Sequence, residues 1–485
     1  MNSEPVTTLY RVDDLPALDF DPFLRASLHE APVRQIRLPH GEGECWLVTS
    51  YDLVRFVTAD PRFSRDITGR PIPKMTRHFI PLDRAVSFVD PPGHARVRAT
   101  VAPAFSSTAM SLLRPRVQEL LDAMVDRLLR GQRPADLVRD ITSPFPLAVI
   151  GLVMGIPEAD HAHVREWATT LLSRASDEQA AQRAERVKQD SRAYFLRLAR
   201  LRRAEPRDDT MTTLVRAMDH GTIDEEELLA LATLIGLNGW HAVCNNASNM
   251  LYALLTTDGL WDRLCAEPHT VPGAVDELLR WVPHKHGVGQ PRIATEDVRV
   301  GDVLIRQGEY VYVSYVAANW DERVYPQAGH IDFDRQGPRH LAFGNGPHFC
   351  VGPLLARMEA EVLLSTLTAR LPTLRLAVPP GTGLLADRHP HPRAQGTPRD
   401  LVGAGLHGRR ARTTQDPKNA IRARAAFDAD EPHGTRSGAH HSRPCVTDRC
   451  GGVRVGVTAV VPAAPAGPAS TARASDDPSR ARPYG

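Results

Sequence analysis

Lysine is almost missing from this chain: four lysines stand against 55 arginines in 485 residues. The skew points to a GC-rich genome, because most arginine codons are GC-rich and lysine codons are not. Net charge is missing too. The formal balance is +2 at pH 7, so nothing global favours a nucleic acid or an anionic surface as partner. There is no long apolar run, so no membrane span is expected. The N-terminus, MNSEPVTTLYRVDDLP, is polar and carries acids, and reads neither as a signal peptide nor as an anchor. Six cysteines (Cys45, Cys244, Cys265, Cys350, Cys445 and Cys450) are scattered too widely for a disulfide framework. No internal repeat is present. The expectation is a cytoplasmic protein with no membrane and no nucleic acid among its partners.

What is present is helical periodicity. Residues 1–60 alternate loops with short strand-like runs such as CWLVTS. Residues 110–270 are mostly helical; SLLRPRVQELLDAMVDRLLR carries apolar residues at three- and four-residue spacing. The stretch 224–256 predicts one long helix, with Asp224 as N-cap and Glu227 at the third position. Its first half is apolar enough to be buried all round. Between 284 and 335 the pattern turns to short strands, and VRVGDVLIRQGEYVYVSYVAAN reads as a hairpin pair. A glycine loop and a helix over 351–371 follow. Many helices with a small segregated strand region predict a mainly α, α+β architecture.

The glycine loop carries the first chemistry. In HLAFGNGPHFCVG, Gly344 and Gly346 free the backbone, and Cys350 lies next to a helix start. The helix dipole and its unpaired N–H groups favour a thiolate there. Such a group suits a soft metal or an activated nucleophile. It also suits a small buried hydrophobe. A zinc site from His340, His348 and Cys350 is a third reading, without a paired-ligand motif behind it.

Other segments bear on the choice. FGNGPHFCVG resembles the heme-binding signature of the cytochrome P450 family at every fixed position. AVDELLRWVP resembles that family's Glu-x-x-Arg helix, through Glu277 and Arg280. The region 292–335 follows its strands and meander, with Arg335 at the meander arginine. FVDPPGHARVRATVAPAF resembles its DPP-His-x-x-x-Arg segment. The resemblance spans residues 10–380 in the right order and is strongest to soluble bacterial members.

It implies a triangular, mostly helical heme-thiolate fold with heme b as cofactor. Cys350 would be the proximal thiolate on the iron, the ligand type that favours O–O cleavage. Phe343 would pack on the proximal face, and Gly344 and Gly352 would let backbone N–H groups approach the sulfur. His94 and Arg98, four apart on one helix face, would join Arg292 and His348 at the propionates. Glu277, Arg280 and Arg335 would form a buried structural triad. Dioxygen, a ferredoxin and its reductase are the implied partners beside a small-molecule substrate.

The chain also departs from the family. The long helix usually carries Ala-Gly-x-Asp/Glu-Thr-Thr; here it reads Asn238, Gly239, Trp240, His241, Ala242, Val243. Gly239 keeps room for dioxygen beside Ala242. The acid has become His241, and both threonines are gone. Alanine and valine carry no exchangeable proton. His241 and Asn238 are therefore the candidate catalytic residues, with a water chain or the substrate as other proton sources; a satisfied core histidine is the plainer alternative. Asn238, Ala242, Asn245 and Asn249 share one face. Buried amides need partners, from neighbouring helices or from a polar substrate. Val86, Phe88, Asn238, Trp240, His284 and Val288 are the expected substrate contacts, although Trp240 also suits packing.

Loss of the acid–alcohol pair favours oxidative C–C or C–N coupling of an aromatic substrate, for which the NGWHAV helix suggests a tryptophan-containing cyclodipeptide. Conventional hydroxylation or epoxidation is the alternative, and a non-catalytic heme protein is another. The domain is expected over 1–380. The tail 381–485 lacks periodicity and looks disordered. Read one base out of frame with synonymous third bases, Leu385–Gly403 gives W-R-T-G-I-L-I-R-G-P-K-G-L-P-V-T-W and a stop, which resembles the family's own ending. The tail is therefore expected to be the non-native product of a frameshift near 379–385, with no function in Cys445 and Cys450.

Overall fold

The structure, a computed structural model, describes residues 8–9, 18–75, 85–132, 134–172, 178–283, 287–377 and 458–460. His284 and nearly all of the tail, with Cys445 and Cys450, lie outside them.

Thirteen helices are described: α1 (Pro22–Glu30), α2 (Tyr51–Ala59), α3 (Gly93–Val101), α4 (Ser107–Arg130), α5 (Pro144–Met154), α6 (His161–Leu172), α7 (Glu178–Ala204), α8 (Thr210–Asp219), α9 (Glu225–Thr256), α10 (Leu260–Ala266), α11 (Val271–Trp281), α12 (Tyr315–Asn319) and α13 (Pro353–Arg370). The strands are β1 (Thr8–Leu9), β2 (Val33–Arg37), β3 (Cys45–Val48), β4 (Phe63–Ser64), β5 (Ala135–Asp136), β6 (Arg292–Ala294), β7 (Val298–Val300), β8 (Val303–Ile305), β9 (Tyr310–Val313), β10 (Arg375–Leu376) and β11 (Thr458–Val460). Six form a sheet in the order β1-β2-β3-β9-β6-β4. The expected hairpin is the antiparallel pair β7–β8, while β9 leaves it to pair parallel with β3 and antiparallel with β6.

Helix α9 begins as its sequence requires. The Asp224 carboxylate accepts from Glu227 N at 2.9 Å, and Asp224 N donates to Glu227 at 3.0 Å, so the capping box closes. The same Glu227 carboxylate receives both guanidinium ends of Arg96 on α3. Apolar residues surround α9, and most of it is buried. It is long and apolar enough to cross a membrane, but 72% of its most apolar window is buried inside the fold. That burial makes it the central rod of the helical core, with α5, α6 and α7 packed around it. Each buried Leu or Ile there contributes roughly 1.5–3 kcal/mol relative to exposure.

A second core lies under the six-stranded sheet, with Ile36, Leu47, Val48, Val311 and Val313 wholly buried. A small third cluster of Ile67, Ile72, Ala85, Phe88, Ala230 and Ile293 packs the sheet side against α9.

Glu277, Arg280 and Arg335 lie together. Arg280 donates to both Glu277 oxygens at 2.7 Å, and Arg335 Nε reaches the same carboxylate at 3.0 Å. The remaining guanidinium N–H groups bond backbone oxygens of Asn319, Ala328, Pro326 and His330, which ties α11 to the meander. A buried charge needs this degree of pairing.

Three residues of the tail are described. Thr458–Val460 is the middle strand of a three-stranded sheet, antiparallel to both β10 and β5. The backbone slot between those two strands is thus filled from within the tail.

Candidate active site

The glycine loop between α12 and α13 is shaped by close approach. Gly344 and Gly346 have φ of +80° and +73°. A Cβ at Gly346 would stand 2.2 Å from Thr58 O of α2. Asn345 seals the same contact, donating to Arg55 O at 3.2 Å and to Thr58 Oγ1 at 3.1 Å. Cys350 N turns back to Phe343 O at 2.9 Å. This fold-back leaves Cys350 exposed, just ahead of the first turn of α13. Phe343 sits partly buried beneath the loop, with the Arg357 guanidinium 5.6 Å from its ring centre. Gly352 is the N-cap residue of α13, and a Cβ there would meet the Phe105 ring at 3.5 Å, an ordinary contact distance.

Basic side chains gather beside this loop. The rings of His94 and His348 lie 4.4 Å apart. Arg98 of α3 donates to Cys350 O at 3.1 Å. Arg292, on β6, is 1% exposed, and its Nη2 has no partner. All four residues expected at the propionates are therefore in one place.

A fifth joins them that the sequence reading missed. Arg65 follows β4, is 5% exposed, and its Nε has no partner. Nothing in FSRD marks such a role; only the pairing of β4 with β6 brings Arg65 beside Arg292. Burial and the neighbouring Arg292 push the Arg65 pKa down to about 9. Burial, with Arg65, His94, Arg292 and Arg98 around it, pushes His348 down to about 2. His94 is lowered by burial and by Arg98 and Arg65. So many bases crowded together with unmet N–H groups call for an anion.

These residues fit heme b. An exposed cysteine sulfur and a cluster of cations with orphaned donors match an iron and two propionates. The zinc reading fails. Among the described residues no group of three His, Cys, Asp or Glu could hold a metal ion, and His340 Nδ1 accepts from Ala342 N at 3.2 Å.

Helix α9 carries the other side of the argument. Between Leu234 and Asn246 it shows one partly exposed stripe of Leu234, Asn238, Gly239, Ala242, Val243, Asn245 and Asn246. No carboxyl and no hydroxyl occurs along it. Asn238 Nδ2 donates to Leu234 O at 3.1 Å, which commits its nitrogen to its own helix. His241 flanks the stripe, 9% exposed, with Asn245 Nδ2 3.3 Å from its Nε2. The carbonyl oxygens of Asn245, Asn246 and Asn249 are buried without partners.

Two expected roles change here. Trp240 is fully buried, and its indole N–H donates to Ser143 O at 2.8 Å. It packs α9 against α5 and is not a substrate contact. Gly239 faces α5 as well: a Cβ there would stand 2.7 Å from Ile150. The helix runs unbroken through it, so its small size serves helix packing. Val288 is 8% exposed and belongs to the second core. Phe88 lies in the third cluster with Ala230 of α9, and Val86 beside it is half-buried. The loop 86–88 therefore does reach α9.

Comparison with known proteins agrees with this geometry. The cytochrome P450 family profile matches residues 27–383. Biflaviolin synthase of Streptomyces coelicolor is 45% identical over 374 residues, which cover 76% of this chain and 91% of the synthase. Mycinamicin IV hydroxylase/epoxidase of Micromonospora griseorubida is 39% identical, over 72% of this chain and 87% of that enzyme. A solved cytochrome P450 described as having biaryl coupling reactivity superposes with a TM-score of 0.75 at 40% identity, over 78% of this chain and 96% of that one.

Proposed function

This chain belongs to the cytochrome P450 family, and on that premise we propose that it joins aromatic substrates oxidatively through a new C–C or C–N bond. It is a heme b oxidoreductase of secondary metabolism that uses dioxygen, an electron donor and a small-molecule substrate. Bound heme supplies the oxidising chemistry. Cys350 would hold its iron, and His94, Arg98, Arg292, His348 and Arg65 its propionates.

One observation carries the coupling reading. The partly exposed stripe of α9 offers no carboxyl and no hydroxyl. Substrates with acidic O–H or N–H groups would bring exchangeable protons to it. The balance closes: two substrate molecules, one dioxygen, two electrons and two protons give one coupled product and two waters. Asn238, its nitrogen committed to Leu234 O, would accept from a substrate N–H or O–H through its carbonyl oxygen. His241, whose Nε2 lies 3.3 Å from Asn245 Nδ2, would pass a proton at the edge of the stripe. Two similar proteins support this direction, one named as biflaviolin synthase and one described by biaryl coupling.

The finer reading is a tryptophan-containing cyclodipeptide as substrate, with a ferredoxin and its reductase as donors in the cytoplasm. The test is a mass balance on turnover under heavy-isotope dioxygen, with such cyclodipeptides and with phenolic aromatics in parallel. Coupling predicts a product two hydrogens lighter than its summed reactants and free of label. A product carrying one heavy oxygen overturns it and makes the enzyme a hydroxylase or epoxidase. The substrate that turns over decides the class.

A further inference from the structure

An open cavity of about 650 Å³ takes no part in the site described above. Phe20, Arg25, Tyr252, Thr256, Trp281 and Trp320 contribute to its walls and mouth. Its volume falls within the range of small-molecule sites, roughly 300–1,000 Å³. No residue placed at the cofactor or on the α9 stripe lines it. Tyr252 stands ten residues beyond Ala242, which is about 15 Å further along the helix.

Place in the fold accounts for the gap. Tyr252 belongs to the helical core, and Phe20 and Trp320 belong to the core under the sheet. Trp281 packs against both. The cavity therefore opens at the seam between the two cores. Such seams are where ligand sites gather.

The walls are aromatic and fixed. Phe20 and Trp320 stack at 4.6 Å with their planes 6° apart, and Trp281 stands 5.7 Å from Trp320. Both indole N–H groups are committed: Trp281 Nε1 donates to Gly329 O at 2.7 Å, and Trp320 Nε1 to Trp281 O at 3.0 Å. The indoles thus offer carbon surface, which suits a flat apolar body. At the mouth the Arg25 guanidinium lies 5.2 Å from the ring centre of Phe20 and 5.8 Å from that of Trp320. It is exposed and makes no hydrogen bond or ion pair among the described residues. Two ring faces steady it, so its fork loses little further freedom on taking a carboxylate. Asp19 is the only acid among the lining residues, and it makes no ion pair with Arg25.

We propose that this cavity is a second binding site, separate from the oxidation site, for a small planar aromatic acid. Its rings lie along Trp281 and Trp320, and its acidic oxygen meets Arg25. Nothing in this rests on the coupling chemistry proposed above.

The experiment is calorimetric titration of the full-chain holoenzyme with 2-naphthoate and with neutral 2-naphthamide. The iron is first occupied by 4-phenylimidazole, so that the oxidation site is closed to both probes. One naphthoate should bind per protein with a Kd of about 1 mM or tighter. Arg25→Gln should weaken naphthoate about fivefold and leave naphthamide unchanged, as for an ion pair open to solvent. Asp19→Asn should act in the opposite direction, tightening naphthoate about twofold. Thr256→Phe, which fills the cavity, should abolish binding of both probes. Absence of saturable binding overturns the proposal. So does full binding in a folded Thr256→Phe protein, because the probe would then sit elsewhere. Equal losses of acid and amide in Arg25→Gln would also reject it, since Arg25 would not be reading the acid. Should Thr256→Phe fail to fold, the opposite shifts in the two surface variants decide alone.

Discussion

The cation cluster and the α9 stripe are unfinished in opposite senses. Beside the glycine loop the orphans are donors: Arg65 Nε and Arg292 Nη2. On α9 they are acceptors: the carbonyl oxygens of Asn245, Asn246 and Asn249. Buried polar groups are rarely left unmet. The first region therefore asks for an anion, and the second for molecules with N–H or O–H groups, water or substrate. The difference separates what any member of the fold must do from what this one does. The loop and its cations hold a cofactor of fixed chemistry. The stripe meets a variable one.

The comparison breaks most completely at Cys350. Cys350→Ala should abolish turnover and remove the long-wavelength Soret band of the reduced carbon monoxide complex. Retained activity would mean that another residue holds the iron. The next largest effect belongs to Gly346→Ala. A positive φ and a backbone oxygen 2.2 Å from the new Cβ leave no room to relax without moving α2. A loss of about 3 kcal/mol is expected, read from denaturant unfolding. A loss below about 1 kcal/mol would show that the loop does not depend on this contact.

Glu359 on α13 sharpens the same side. It is 1% exposed, and its Oε2 has no partner. Burial raises its pKa well above the ordinary carboxyl value. An acid whose folded pKa is raised contributes its stability below the unfolded value, about 4.3. That contribution is lost as pH rises through the folded value. Glu359→Gln should therefore stabilise the protein at about pH 8, by roughly 1–3 kcal/mol, and change little at about pH 4. Equal shifts at both pH values would mean that Glu359 does not titrate in the fold.

Legibility in the sequence follows the same division. The loop could be read because FGNGPHFCVG resembles the family's heme-binding signature at every fixed position; spacing alone left the role of Cys350 open. The triad could be read because AVDELLRWVP resembles the family's Glu-x-x-Arg helix, whose Glu277 and Arg280 lie one helical turn apart. Helix α9 was legible as a rod through its capping box, yet which faces of Trp240 and Gly239 met α5 depended on packing that periodicity does not specify. Arg65 was illegible because strand pairing, distant in sequence, gives it its neighbours. The terminus is the reverse case, where sequence suggests more than the fold displays. The shifted-frame reading would supply a strand to the slot between β10 and β5 from a segment much nearer to β10 than Thr458–Val460. Shortening the closing loop about fourfold should stabilise the sheet by about 1 kcal/mol. Resequencing 379–403 and melting both versions checks this. The printed frame, confirmed by sequencing, would end the proposal.

The smallest expected effect bears most directly on the reaction. Ala242 lies mid-stripe on α9, and His241 stands where the family's acid would be. His241→Asp with Ala242→Thr restores an acid–alcohol pair without touching the cation cluster. Threonine in place of alanine costs a helix only about 0.5 kcal/mol, so the fold should survive. If the missing hydroxyl is what favours coupling, the double variant should release a few-fold more product carrying heavy oxygen, at the expense of coupled product. Cofactor binding should not change, because the groups that hold it are on other elements. An unchanged product ratio would mean that the stripe does not choose the reaction. The choice would then rest with substrate orientation, set by the loop 86–88 and by the amides of α9. In that case Asn238→Ala should alter the products where the restored hydroxyl did not, since Asn238 is the partly exposed amide whose nitrogen is already committed to its own helix.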